Sequence, residues 1–447
     1  MKIRTFQEAI SYLEDRIPET FSHKVYHLTR MQKLLGELGH PERNFDFVHV
    51  GGTCGKGSTA MIISSLLKES GYKVGLHISP HIQSIRERIQ VQENMISQEA
   101  FRDLINEVRP VVEKVDSTKV GKVTYFELLV AVAFSYFSKV GVDIAVIEVG
   151  LGGRLDGTNV RRDPIVTLIT NIELDHMNIL GNTVEEIAKE KAGIIKKGSI
   201  VITGATQESV RQIIKRKVTS SGAKRLLLLG EDIEVYDQSM TKTRETCSIR
   251  VGDNLYKNLS IGLLGDFQVE NAALALACLD QLRESGYTCP IEKIRHAFSH
   301  LSFGGRFEIM QKTPLVILDG AHNPAKMTAL ISSLKKRYPS KIIHLVFGCK
   351  KGKDIKHMLR ICGKESVSIT ATMYHTPTDT APYSAVRAQK VYEIARKMYP
   401  AKQVIWYEKS PEAIEHALYQ ARSDDIVLVT GSLYLVGEAR SIWKIVI

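Results

Sequence analysis

The chain has 447 residues, 44% of them hydrophobic and 24% charged, which is enough to bury a large core and to build two or more domains. No stretch approaches the roughly 20 continuous apolar residues of a membrane span, and the opening MKIRTFQEAI carries acidic and polar residues where a secretory signal would be apolar. Membrane and secreted classes are thereby excluded, and a cytoplasmic location is expected. The six cysteines are scattered, with no C-x-x-C pair and no Cys/His cluster at zinc-ligand spacing, so neither a disulfide framework nor a structural zinc site is expected. The formal net charge of +11 comes from Lys and Arg interleaved with Asp and Glu, not from basic blocks. That pattern suits small polyanions as well as a plain solvated surface, and no nucleic-acid partner is expected.

In chain order, short β-branched runs alternate with amphipathic stretches: FDFVHV, TAMIISSLLKES, YKVGLHIS, VDIAVIEV, PIVTLITN, VEEIAKEKAGIIK and SIVIT, then PLVILD, KIIHLVFG, KQVIWYE and DIVLVTG. Strands that read as continuous apolar runs predict parallel sheets covered by helices on both faces, an α/β class. Between about residues 220 and 262 the pieces RLLLLG, IEVYD, CSIRV and LSIGLL predict a small antiparallel sheet, and a helix is expected from about Gln268 to Ser285. SFGGR, at Ser302 to Arg306, is a glycine-punctuated hinge candidate. It places the expected domain boundary there, with an N-terminal P-loop ATPase-type domain over 1–302 and a Rossmann-like α/β domain over 303–447.

FDFVHV runs directly into GGTCGKGST and then into helical spacing from Ser58 or Thr59. Glycines allow backbone N–H groups to turn inward around phosphate, Lys56 supplies a point charge, and Ser58 offers a hydroxyl to Mg²⁺ at a helix N-terminus. The strict G-x-x-x-x-G-K-[ST] pattern is not met, because Gly57 stands between Lys56 and Ser58. Glu148 ends the strand VDIAVIEV, where a carboxylate faces bound phosphates and a hard cation. Arg306 is a fork donor suited to phosphate, placed where a second domain closes over a nucleotide. Taken alone, Ser79 reads as a helix cap, His176 as a structural histidine, Asn271 as a cap or buried polar contact, and Lys191 as a surface lysine.

The loop variant Gly52, Thr53, Cys54, Gly55, Lys56, Gly57, Ser58 resembles the Mur ligase superfamily, and within it the folylpolyglutamate synthase and dihydrofolate synthase family. The resemblance runs in order through LTRMQKLLGELGHP, HISPHIQSIRERI, TYFELLVAVAF, IEVGLGGRLDGTN, TNIELDHMNILGNTVEEIAKEKAGIIK, FQVENAALALA, GGRFE, LDGAHNP, VFGCKKGKD and GSLYLVGEAR. It implies an ATP-dependent ligase that joins L-glutamate to a folate, or to dihydropteroate, through an acyl phosphate, in a chain that acts as a monomer. Its implied nucleotide-site residues are Gly52, Thr53, Gly55, Lys56, Gly57, Ser58, Asn271, Arg306 and Asp319, and its implied Mg²⁺ ligands are Ser58, Ser79, Glu148 and His176. Phe126, Arg154 and Asp156 are implied for the substrate; Lys56, Lys191 and His322 are implied in catalysis, with Lys191 carbamylated by CO₂. The chain departs from the family pattern at Cys54 for Asn, Gly157 for Ala, Gly304 for Pro and Val386 for Pro. A Mur-type ligase for another acid is opposed by HISPHIQSIRERI and GRLDGTN. A P-loop ATPase without ligase chemistry leaves SPH, LDGAHNP and GSLYLVGE unexplained.

Overall fold

The structure is a computed structural model, and it describes residues 2–18, 27–161, 163–376 and 384–443. The first sheet comprises β1 (Asp46–Gly51), β2 (Val74–His77), β3 (Ile89–Val91), β4 (Asn94–Met95), β5 (Ile144–Glu148), β6 (Val166–Ile169), β7 (Ile200–Thr203) and β8 (Arg225–Leu228). Its spatial order is β4-β3-β2-β5-β1-β6-β7-β8, parallel from β2 across to β8, with the two short strands β3 and β4 antiparallel at one edge. Strands buried on both faces need apolar residues at every position, and β5, β6 and β7 are buried throughout. On one face Val48, Val50 and Val146 pack against the helices Lys56–Ser70 and Asp266–Leu282. On the other, Phe47, Ala145 and Ile147 meet the helices Gln98–Asp116 and Tyr125–Val140.

A three-stranded antiparallel sheet comes next, made of β9 (Ile233–Met240), β10 (Glu245–Val251) and β11 (Asn254–Ile261). RLLLLG does not belong to it. Those residues form β8, paired in parallel with β7, because Leu227 and Leu228 bury against the core of the first sheet. The helix expected from Gln268 begins two residues earlier and ends in a 3₁₀ turn, Arg283–Ser285. SFGGR lies in irregular backbone between the helix Ile291–His300 and the next strand.

The last sheet contains β12 (Glu308–Lys312), β13 (Leu315–Asp319), β14 (Ile343–Phe347), β15 (Ser368–Ala371), β16 (Gln403–Trp406) and β17 (Ile426–Thr430), in the order β12-β13-β17-β14-β15-β16. All neighbours are parallel except β12, an antiparallel edge strand. Among the described residues no helix is long and apolar enough to cross a membrane.

Candidate active site

The site is built at the carboxyl ends of the central strands, where β1 lies between β5 and β6 and the chain leaves the sheet in opposite directions. From β1 the chain turns through Gly52 (φ 133°) and Gly55 (φ 82°), conformations that a side chain would oppose. Close packing makes the demand stricter: a Cβ on Gly52 would stand 1.8 Å from Thr170 Oγ1, and one on Gly55 would stand 2.2 Å from Asn271 Oδ1. The helix begins at Lys56, two residues before the expected start, because left-handed Gly55 serves as its N-cap and frees the N–H groups of the first turn. Gly57 also has a steric reason, since a Cβ there would lie 3.2 Å from Glu148 Oε2.

The loop is held by the segment just after β6. Asn171 accepts from Thr53 N through its carbonyl at 2.8 Å and from Cys54 N through Oδ1 at 2.8 Å. Thr170 Oγ1 donates to the Cys54 carbonyl at 2.6 Å, and Lys191 Nζ donates to the Gly52 carbonyl at 2.6 Å. Lys191 is only 4% exposed. Burial, helped by the Lys56 charge, pushes its ammonium down to about 7, so the periodicity reading of a surface lysine is corrected. VEEIAKEKA does show a charged face, but that helix lies against the loop and Lys191 turns inward.

Glu148 is buried at the end of β5. Its Oε2 accepts from Ser79 N at 2.9 Å and its Oε1 lies 3.8 Å from Lys56 Nζ. Burial raises its carboxyl against the opposing pull of Lys56. His176 caps the short helix Met177–Leu180 with left-handed backbone (φ 51°), and its ring is about half exposed to solvent. Among the described residues no group of three or more His, Cys, Asp or Glu side chains is arranged to hold a metal. A magnesium ion shared with nucleotide phosphates takes one or two carboxylates only, and Glu148, which lines the larger cavity with Ser79, provides that kind of donor.

Two cavities meet at this loop. The larger, about 430 Å³, is lined by Lys56, Ser79, Glu148, His176, Lys191 and the glycine-rich turn Gly150 to Gly157 on one side, and by Arg306, His322, Lys326 and Lys353 on the other. Phe126, Arg154 and Asp156 also line it. Asp156 is buried and accepts from Leu151 N and from Thr158 N and Oγ1, while Arg154 reaches to the rim and pairs with Glu190 at 2.9 Å. The smaller cavity, about 110 Å³, is lined by Cys54, Ser58, Asn271, Arg306 and Asp319 among others. Asp319 already accepts from Phe307 N and Ala321 N, so it fixes the turn after β13 as well as facing that cavity.

Sequence reasoning missed the contacts across the cleft. Asp175 accepts from Lys353 Nζ at 2.7 Å and from Asn323 Nδ2 at 3.2 Å. Burial alone would raise its carboxyl, but His176, Lys353, His322 and Lys326 hold it below the usual range. His322 Nδ1 faces the Gly320 carbonyl at 2.8 Å, and its Nε2 lies 3.0 Å from Lys326 Nζ. Burial and the Lys326 charge keep this ring neutral, so we assign the proton to Nδ1, which donates to Gly320, and Nε2 accepts from Lys326. The sequence did hold a signal for Lys326, one helical turn beyond His322, and for Asp175, beside His176.

A strand, phosphate loop and helix facing a second α/β sheet across a basic cleft define a ligase of the Mur type. Residues 50–279 match the Mur ligase middle domain and residues 305–433 the Mur ligase glutamate ligase domain. The chain is 36% identical to the dihydrofolate synthase/folylpolyglutamate synthase of Bacillus subtilis, over 97% of this chain and 98% of that protein. Among solved structures it is similar to Mycobacterium tuberculosis folylpolyglutamate synthase complexed with ADP (TM-score 0.90, 27% identity, 98% of each chain). It is similar also to E. coli FolC in complex with DHPP and ADP (TM-score 0.85, 27% identity, 99% of this chain and 98% of that one). The chain belongs to the folylpolyglutamate synthase/dihydrofolate synthase family of ATP-dependent, amide-forming ligases.

Proposed function

We propose that this chain joins L-glutamate to a folate carboxylate at the expense of ATP, with dihydropteroate as a second acceptor. The observation that carries the reading is the single cavity in which Lys56, Glu148 and Lys191 face Arg306, His322, Lys326 and Lys353. The division into 1–302 and 303–447 is part of the same proposal, because the cleft then separates the first and last sheets. The acceptor carboxylate attacks the γ-phosphorus of ATP, the β–γ bridge breaks, and ADP leaves. Gly52, Thr53, Gly55, Lys56, Gly57 and Ser58 hold the phosphates by backbone N–H groups and one ammonium; Asn271, Arg306 and Asp319 face the rest of the nucleotide. Ser58, Ser79, Glu148 and His176 would hold Mg²⁺, which when bound offsets charge on the phosphate oxygens. The glutamate nitrogen then attacks the acyl carbon and phosphate departs. The proton released by that nitrogen leaves with the phosphate, and His322, its Nδ1 donating to Gly320 and its Nε2 accepting from Lys326, positions that ammonium in the cleft. Phe126, Arg154 and Asp156 face the acceptor, and closure of the cleft keeps water from the acyl phosphate.

Lys191 is proposed to carry a carbamate. Its amine, pushed down to about 7, is substantially unprotonated at neutral pH; the nitrogen attacks CO₂ and loses a proton, replacing a cation with an anion beside the loop. The test of the whole reading is phosphate release from Mg-ATP and glutamate with dihydropteroate, tetrahydrofolate or a tetrahydrofolate diglutamate supplied in turn. Release is expected with at least one acceptor. Release with none of them would sink the folate reading.

A further inference from the structure

The larger and smaller cavities share three lining residues, Gly55, Arg306 and Lys326, and these mark the passage between them. Gly55 caps the phosphate-loop helix and Arg306 faces the nucleotide, whereas Lys326 has a place in the cleft and no step of the reaction. Lys326 stands in the first turn of the helix Pro324–Arg337, where its N–H donates to the cap Asn323 Oδ1 at 2.9 Å. A helix N-terminus already gathers partial positive charge, and this first turn contains no acidic residue, so an ammonium there is unfavourable until an anion arrives. Among the described residues its Nζ has a neutral ring nitrogen, His322 Nε2 at 3.0 Å, as hydrogen-bond partner. The neighbouring cations each face an oxygen instead. Lys56 Nζ lies 3.8 Å from Glu148 Oε1, Lys353 Nζ 2.7 Å from Asp175 Oδ1, and Lys191 Nζ 2.6 Å from the Gly52 carbonyl. Burial lowers the pKa of Lys326 against the pull of Asp175, and Lys56 and Arg306 lower it further. An anion entering the passage would offset all of these costs.

We propose that Lys326 is a further catalytic residue: its ammonium meets the phosphoryl group as that group crosses from the nucleotide cavity to the acceptor cavity, in the ligase reading on which this inference rests. The acceptor carboxylate oxygen bonds to the γ-phosphorus, the bond from that phosphorus to the β–γ bridging oxygen breaks, and the bridging oxygen leaves on ADP. Lys326 neither gains nor loses a proton. One of its three N–H groups is taken by His322 Nε2, which acts as its positioning residue, and the other two meet oxygens of the transferring group. Lys56 approaches from the phosphate loop and Lys326 from the helix after β13, so the charge on that group is met from both sides of the cleft.

The test compares the full-length wild type with Lys326→Met and with Lys326→Gln, which keeps a donor for His322; either folded variant suffices. Turnover is read as phosphate release from Mg-ATP and glutamate with the acceptor the wild type uses best. Binding is read with ADP and with the β,γ-methylene analogue of ATP. The variants are expected to lose about a hundredfold in kcat, with the glutamate KM within about threefold of the wild type. Affinity for the analogue is expected to fall by about tenfold while ADP affinity and the melting temperature stay unchanged, because the analogue alone carries the group that Lys326 meets. Wild-type kcat in a folded variant overturns the proposal. A raised glutamate KM with kcat retained overturns it too, and gives the ammonium to a carboxylate of the amino acid. Equal losses of ADP and analogue affinity overturn it by leaving Lys326 a structural role. No phosphate release from the wild type with any acceptor removes the folate reading and this inference with it.

Discussion

At the scale of single residues, the chemistry of the cleft depends on side chains whose burial alters their charge. Lys191→Ala removes the amine that contacts the Gly52 carbonyl. Activity is expected to fall by at least about a hundredfold with the melting temperature preserved to within a few degrees, and short carboxylic acids are expected to restore part of it; full activity in the variant would exclude the carbamate. His49 gives a pH dependence away from the cleft. It is 1% exposed, its Nε2 lies 2.9 Å from Thr158 Oγ1, and burial, with Lys196 adding to it, keeps the ring neutral down to about 3 against 6.5 in an unfolded chain. Below 6.5 the unfolded chain takes up a proton that the folded one refuses, so stability is complete above 6.5 and is lost as the pH falls towards 3. The urea midpoint should drop between pH 7.5 and 5.5, and less steeply in His49→Gln. Equal slopes would refute the assignment.

At the scale of elements, the strands of the parallel sheets were legible because they are continuous apolar runs of the right length. FDFVHV, VDIAVIEV, PIVTLITN and SIVIT all lie on strands. The strands β3, β4 and β12 were not, because IQV and NM are only three and two residues long and EIMQK is half-exposed, with no periodicity to separate them from loops. RLLLLG was misplaced because an apolar strand reads the same beside a parallel or an antiparallel partner. The phosphate loop was legible from glycine spacing, but its reliance on Thr170, Asn171 and Asn271 was not, since those partners are distant in sequence. Gly52→Ala tests that reliance. The added methyl would lie 1.8 Å from Thr170 Oγ1 in a backbone conformation that alanine opposes, so the loop must shift. ATP affinity should fall by about a hundredfold while the far-ultraviolet dichroism is retained; wild-type affinity would show that the loop moves freely.

At the scale of the molecule, the three-stranded sheet and a helix of the last α/β unit meet through a buried ion pair. Glu245, on β10, and Arg337, at the end of the helix Pro324–Arg337, are 0% and 1% exposed in their side chains. Glu245 also accepts from Gly265 N at 2.9 Å. Neither residue stood out in the sequence, because an Arg and a Glu 92 positions apart carry no local signal. Removing one member strands the other, at a cost of about 3–5 kcal/mol, whereas replacing both with apolar residues of similar volume is close to neutral. Arg337→Met should lower the thermal midpoint by several degrees, and Glu245→Leu in the same chain should recover most of the loss. A double variant no better than the single one would show that the pair does more than balance its own burial.

Cys54 departs from the family pattern within the loop, and its setting gives it a practical use. The other five cysteines are buried, whereas Cys54 is half-buried at the lip of the smaller cavity, with Asn323 Nδ2 4.0 Å from its sulfur. Alkylation of the folded protein therefore reads one thiol, and that thiol lines the cavity proposed for the nucleotide. Labelling by a small maleimide, with intact mass as the readout, should add a single group and should slow as Mg-ADP is titrated in. The chain thus carries its own occupancy gauge, one that reports how full the pocket is before any substrate has been identified.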